Sequence, residues 1–227
     1  MRNTKLIIMI EGAVIAGVCV ALSFIPLNTA NADFDLSLGL IPLGVFALRR
    51  GLAPGMAVGF VWGLLLIALA RAYFLAIPQV LLEYPVAFAF GGFGGILSGR
   101  FKRGLANEKE AAAVHAHAGA AGEARPAAAA LHAHTGAAGE AGPAAARLSR
   151  RILLTVVFAG VLAAVTRWVF HFWAGLIFWM DYMPEGVNPY MFNFIANGAS
   201  AAANAIMLAI VLTILFKTSR TIFIPKE

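Results

Sequence analysis

Residues 152–174 read ILLTVVFAGVLAAVTRWVFHFWA, a mostly apolar stretch of 23 positions whose only ionisable groups are Arg167 and His171. A helix that crosses a bilayer needs about 20 such residues. Arg147, Arg150 and Arg151 stand immediately before the stretch. Comparable runs lie at residues 5–27, 36–48, 53–70, 79–99 and 191–216, the second of them short. Of the 227 residues, 61% are hydrophobic and 12% charged, and the mean hydropathy is +0.82. A soluble domain of this length could not hide that much apolar surface. The pattern predicts an all-α integral membrane bundle of six transmembrane helices and excludes a large soluble catalytic domain. The single cysteine, Cys19, lies inside the first run, so no intrachain disulfide is possible.

The net charge of +6 is distributed as membrane topology, not as a nucleic-acid surface. Arg2 and Lys5 precede the first run, Arg49 and Arg50 follow the second, and Arg100, Lys102 and Arg103 follow the fourth. Lys217, Arg220 and Lys226 follow the sixth. With six spans and both termini cytoplasmic, all of these groups fall on the cytoplasmic side of the cell membrane, as the positive-inside rule requires, and the short second run must cross. Arg71 and Arg167 alone fall in the outer half, together with Asp33, Asp35, Glu83, Asp181 and Glu185. The start of the chain also imitates a signal peptide with a site at Ala30-Asn31-Ala32. Its apolar run exceeds the ~7–15 residues of such a segment, and Glu11 interrupts it, which favours a retained first helix.

Three segments follow: residues 1–101 with helices one to four, a low-complexity cytoplasmic insertion at 102–150, and residues 151–227 with helices five and six, all forming one membrane domain. In the insertion His115-Ala116-His117 recurs as His132-Ala133-His134, each followed by Gly-Ala-Ala-Gly-Glu-Ala. With no apolar face to bury, it reads as disordered or weakly helical. Its four histidines suit a local duplication better than a metal site, so no metal is expected.

No G-x-x-x-x-G-K-[ST] loop occurs, so the chain is not its own ATPase. Gly91, Gly92, Gly94, Gly95 and Gly99 lie within an apolar run, where they allow close helix approach. There is no H-E-x-x-H, no C-x-x-C and no G-x-S-x-G. A membrane enzyme built on Glu83 and His171 would lack a nucleophile and a metal cage, and no enzyme activity is expected.

Glu83 stands in Gln79-Val80-Leu81-Leu82-Glu83-Tyr84-Pro85, where a carboxylate facing lipid would be costly. Two readings compete: an interfacial acid paired with Arg71 or Arg167, or the counter-ion of a cationic ligand. Trp62, Tyr73, Tyr84, Phe172, Trp173, Trp179 and Tyr182 all map to the same half. An interfacial aromatic belt accounts for Trp173 and Tyr182. Trp62 lies mid-segment, and an indole face opposite a carboxylate holds a delocalised cation at about 0.5 to 2 kcal/mol per contact. Asn197 adds a two-way hydrogen-bonder near the start of the last run. Together these groups favour a flat, positively charged heteroaromatic molecule.

Several segments resemble the thiamine-specific substrate-binding subunits (S components) of energy-coupling factor transporters. They are Ala21-Leu22-Ser23-Phe24-Ile25-Pro26, Ile41-Pro42-Leu43 leading to Leu48-Arg49-Arg50-Gly51, and Gly59-Phe60-Val61-Trp62-Gly63-Leu64. Leu82-Glu83-Tyr84-Pro85 with Ala87-Phe88, Phe170-His171-Phe172, Ile177-Phe178-Trp179 and Asn197-Gly198 complete the set. The resemblance covers nearly the whole chain outside the insertion. It implies a six-helix bundle with a ligand pocket near the extracellular face, closed by the loop Leu27–Asp35. It further implies Glu83 as the acidic contact to thiamine, Trp62 and Trp179 as walls, and Tyr84, His171, Asn197 and Tyr73 as pocket contacts. Phe34 is the nearest candidate for an aromatic residue over the ligand. Phe192 stands where a tyrosine is expected, so one hydrogen bond is lost or comes from Tyr190.

Ala13, Gly17 and Ala21 recur every four residues on one stripe of the first helix. Periodicity alone fits packing inside the bundle as well as docking; the resemblance implies docking onto a membrane scaffold subunit. It also implies that two cytoplasmic ATPase subunits hydrolyse ATP, while this chain carries no cofactor of its own and captures thiamine unaided. A self-sufficient secondary transporter of an organic cation, or an S component for another vitamin such as riboflavin, are the alternatives. An acidic outer pocket argues against a phosphorylated ligand.

Overall fold

The computed structural model describes residues 3–25, 27, 35–123, 143–183 and 185–225. Among these, all regular structure is helical: α1 (Thr4–Leu22), α2 (Leu40–Arg50), α3 (Leu52–Ala68), α4 (Ile77–Leu81), α5 (Ala87–Gly91), α6 (Ser98–Glu123), α7 (Pro143–Phe178) and α8 (Pro189–Thr218). A π-helical turn, Leu82–Val86, joins α4 to α5, and a 3-10 turn, Phe93–Leu97, joins α5 towards α6. Segments α4 to α6 therefore form one interrupted helical run, and the six apolar runs become six helices. Four of them, Thr4–Leu22, Ile77–Val114, Ala145–Phe178 and Pro189–Thr218, are long and apolar enough to cross a membrane.

The ends depart from the sequence reading. The second helix begins at Leu40 rather than at residue 36, and its 11 residues span only about 16 Å at 1.5 Å per residue. The first part of the insertion, expected to be disordered or weakly helical, is helical, because α6 runs on to Glu123. The low helix cost of alanine explains this continuation. Residues 124–142, which hold the second His-Ala-His copy, lie outside the described residues, as does the lid candidate Phe34.

The chain divides into two compact units, Met1–Ser98 with Val156–Glu227, and Gly99–Thr155. In the second, a Cβ at Gly104 would come within 2.8 Å of Ile152. The first contains most of the buried core and every residue lining the cavity described below.

Apolar side chains drive no association between helices in lipid, so tight approach rests on small residues. Helix α3 supplies Gly55, Gly59 and Gly63 at four-residue spacing, following Gly51 at its start. A Cβ on Gly55 would lie 3.0 Å from the carbonyl oxygen of Gly92, one on Gly59 would strike the Phe88 carbonyl, and one on Gly63 would lie 2.5 Å from the Tyr84 carbonyl carbon. A Cβ on Gly95 would sit 2.7 Å from the Gly51 carbonyl oxygen. The α3 backbone thus lies directly on the backbone of residues 84–95. Pro85 adds a second local constraint, since it lacks an N–H and its ring crowds the carbonyl four residues back. The helix widens there, and the Ala87 N–H donates to the Leu82 carbonyl five residues earlier.

At the opposite end of unit one, Glu11 of α1 binds Arg49 Nη2 at 2.8 Å and Arg50 Nε at 2.6 Å. Arg49 Nη1 also donates to the Ile222 carbonyl at 3.0 Å. This ties α1, the end of α2 and the 3-10 turn Arg220–Phe223 together. The acid that interrupts the first apolar run therefore has two cationic partners.

Gly63→Ala is expected to lower thermal stability in detergent by roughly 1–3 kcal/mol, the usual range for overpacking. Gly17→Ala, where a Cβ meets nothing within 4 Å, should be neutral or stabilising by up to about 1 kcal/mol. Equal midpoints for the two variants would contradict the backbone contact.

Candidate ligand-binding site

A cavity of about 510 Å³ opens in unit one, lined by Glu83, Tyr73, Tyr84, Trp179, Phe88, His171 and Arg167, and by Asn193, Asn197, Ser200 and Asn204 of α8. Its size falls in the range of small-molecule sites. Residues Asp35 to Leu38, which precede the short α2, form another part of the wall. Irregular backbone at membrane depth is tolerated where it lines a cavity and its polar groups are satisfied. Here α8 satisfies them. The Asp35 N–H donates to Ser200 Oγ at 3.0 Å and the Ser37 N–H to Asn204 Oδ1 at 2.9 Å. Asn204 Nδ2 donates to the Asp35 carbonyl at 2.7 Å and to the Ser200 carbonyl at 2.8 Å.

Glu83 lies in the π-helical turn, half-buried. Trp179 Nε1 donates to its Oε1 at 2.5 Å, and Gln79 Nε2 donates to its Oε2. Neither Arg71 nor Arg167 pairs with it. Arg167 Nη2 instead binds Asp35 Oδ2 at 3.0 Å, and its guanidinium lies 4.5 Å from the Phe88 ring centroid. Arg71 stands 5.0 Å from the Phe24 ring centroid. The carboxylate is thus held by neutral donors, with no ion pair among the described residues.

Aromatic rings surround it. Tyr73 and Trp179 lie 5.1 Å apart, and Trp179 and Tyr182 meet edge to face at 5.7 Å. Tyr84 stacks on Phe88 at 5.8 Å, and its hydroxyl accepts the Tyr73 N–H at 2.7 Å. Tyr73 comes within reach because α3 ends in a left-handed turn: Ala70 has φ 53, and the Arg71 N–H donates to the Leu66 carbonyl at 2.8 Å. A non-glycine residue in this Schellman geometry carries a backbone cost of about 1–2 kcal/mol.

Of the sequence-predicted contacts, Tyr73, Glu83, Tyr84, His171, Trp179 and Asn197 all line the cavity. Trp62 does not. It is fully buried, packs edge to face on Phe88 at 4.4 Å and donates to Ser23 Oγ at 3.0 Å. The mid-segment position that suggested a ligand wall places the indole behind the wall instead. Phe192 lines the cavity, whereas Tyr190 is exposed elsewhere and supplies no hydroxyl there. His171 Nε2 and Trp168 Nε1 are buried without a hydrogen-bond partner among the described residues. Asn197 Nδ2 donates to Asn193 Oδ1 at 2.7 Å.

Gln79, Asp35, Arg167, Asn193 and Asn204 carry roles that the sequence reading did not assign. Periodicity could have found Gln79, one helical turn before Glu83; the others depend on contacts between distant helices. Ala13, Gly17 and Ala21 are exposed along α1, while Gly12, Ala16, Cys19 and Val20 are buried. The small-residue stripe is therefore not used for packing among the described residues.

The thiamine transporter protein family (Thia_YuaJ) matches residues 9–224. The chain belongs to this family. A thiamine transporter ThiT of Lacticaseibacillus paracasei is 28% identical over 230 aligned residues, covering 100% of this chain and 94% of that protein. A thiamine transporter ThiT of Bacillus subtilis is 21% identical, covering 96% and 94%. The solved structure of ThiT from Listeria monocytogenes superposes with a TM-score of 0.76 at 30% identity, covering 98% of this chain and 100% of that one. This family membership removes the enzyme reading and makes the chain a membrane transport protein.

Asn204→Ala would strand the Ser37 N–H and the Asp35 carbonyl. At about 1–3 kcal/mol for each buried polar group left unsatisfied, it is expected to lower the thermal midpoint markedly. An unchanged midpoint would show that the cavity wall does not depend on α8.

Proposed function

We propose that this protein is the thiamine-capturing S component of an energy-coupling factor transporter. The carrying observation is the Glu83 carboxylate, set in an aromatic cavity, fixed by Trp179 and Gln79, and left without a cationic partner among the described residues. An isolated carboxylate out of bulk water is costly until a positive charge arrives. Thiamine brings that charge on a flat thiazolium ring, for which Tyr73, Tyr84 and Trp179 provide aromatic faces. Its aminopyrimidine carries both donors and acceptors, which suits His171 and Asn197. Trp62 acts in this reading by backing Phe88, not by touching the ligand.

Thiamine arrives from outside the cell, with the cavity towards the extracellular face of the plasma membrane and both termini cytoplasmic. The bare Ala13-Gly17-Ala21 stripe receives the membrane scaffold subunit, because small residues let a partner helix approach closely. Two ATPase subunits supply the energy, so binding by this chain alone requires neither ATP nor an ion gradient, and no cofactor.

Titration of the purified protein with thiamine should quench tryptophan fluorescence, while riboflavin should leave it unchanged. Glu83→Gln should weaken thiamine binding at least about tenfold, corresponding to the 1.4 kcal/mol or more expected of a charge-assisted contact. Asp181→Asn, an exposed acid outside the cavity, should not change it. Equal affinity in wild type and Glu83→Gln would remove the counter-ion role. Accumulation of thiamine by the lone protein in liposomes under a cation gradient would replace the S-component reading with a secondary transporter.

A further inference from the structure

Gln79 has no exposed surface, and its side chain uses every hydrogen-bonding position it faces. Its Oε1 accepts the Leu75 N–H at 2.9 Å and the Ala76 N–H at 3.5 Å. Its Nε2 donates to the Tyr73 carbonyl at 3.2 Å and to Glu83 Oε2. The amide orientation is therefore not free. Backbone N–H groups can be met only by the oxygen, so the NH₂ must point at the tyrosine carbonyl and the carboxylate. One side chain consequently couples the turn that presents Tyr73 to the acid one helical turn ahead.

We propose that Gln79 is the positioning residue for the cation contact: it clamps the Glu83 carboxylate, which Trp179 holds from its other oxygen, and ties the Tyr73 turn to it. The assignment rests on the thiamine reading of the cavity. A neutral donor suits this task because it orients the carboxylate without cancelling its charge, which an arginine or lysine would do. It also leaves part of the carboxylate's accepting capacity for the guest, since an ionised carboxyl has about four lone-pair sites. Gln79 does not line the cavity, so it acts through Glu83 and Tyr73 alone.

The test is a double-mutant cycle on thiamine affinity with Gln79→Leu and Glu83→Gln. Gln79→Leu alone should weaken thiamine at least about tenfold. In the Glu83→Gln background the same change should cost less than about threefold. The neutral aminopyrimidine fragment, which lacks the thiazolium, should lose little affinity in Gln79→Leu. An equal loss in both backgrounds, or an equal loss for the fragment, would reduce Gln79 to a structural residue and overturn the proposal.

If Gln79→Leu does not fold, Gln79→Met, of similar length but without the amide, serves in the same cycle. Thiamine affinity should again fall at least about tenfold from wild type and less than about threefold in the Glu83→Gln background. Equal losses in the two backgrounds would overturn the proposal. Failure of the wild-type protein to bind thiamine would overturn the cavity's assignment instead, which keeps the two outcomes distinct.

Discussion

Backbone lying on backbone along α3 is the constraint that organises the cavity. Gly59 and Gly63 bring the α3 main chain against Phe88, Tyr84 and Pro85, with no side chain between. This contact fixes the height of the π-helical turn, and Pro85 accounts for the turn's widened ladder. Glu83 therefore sits on a piece of helix whose position and rotation are both held from behind. A regular helix would allow α3 to settle with larger residues at the seam, and the carboxylate would then lose its fixed relation to Trp179 on α7.

The shortness of α2 solves a related problem. A full-length second helix would occupy the space where Asp35 to Leu38 now line the cavity. Non-helical chain exposes N–H and C=O groups, each costly in an apolar surrounding. Ser200 and Asn204 meet that demand from the same face of α8, one turn apart. The Arg167–Asp35 pair adds a further tie between α7 and this wall. Polar residues in α8 thus serve two ends: they satisfy irregular backbone and they supply a polar lining next to the aromatic one.

Reading the apolar runs and the charge between them was enough for the helix count, because lipid imposes a length and a composition that no other solvent imposes. Glu83 was legible for the same reason, as an ionisable group where ionisable groups are expensive. What escaped was rotation about each helix axis. α3 is apolar all round, so its sequence carries no stripe to show which face looks inward, and Trp62 read as a ligand wall although it packs behind Phe88. The partner of Arg167 lies 132 positions away, a distance over which helical periodicity is silent. Gln79 could have been read, but a neutral amide carries no cost that draws notice. Weak helix in the insertion was legible but not its end at Glu123, since an Ala-rich segment without an apolar face carries no boundary signal.

On the proposed reading of the cavity, neutral donors at Glu83 leave the site free to exchange its guest. Had Arg167 paired with Glu83, an arriving cation would have to displace a guanidinium and leave it unpaired, and breaking a buried pair costs about 3–5 kcal/mol. That expense would be subtracted from binding at every cycle. With Arg167 committed to Asp35 and Glu83 held by an indole and an amide, nothing charged needs to leave. Trp179 and Gln79 hold the carboxyl's orientation in the folded protein, so the ordering entropy of the acid is spent in folding rather than in binding. On the proposed reading, the placement of Asp35 beside Arg167 belongs to the cation site as much as Glu83 does, because it is the pairing that keeps the second positive group off the acid.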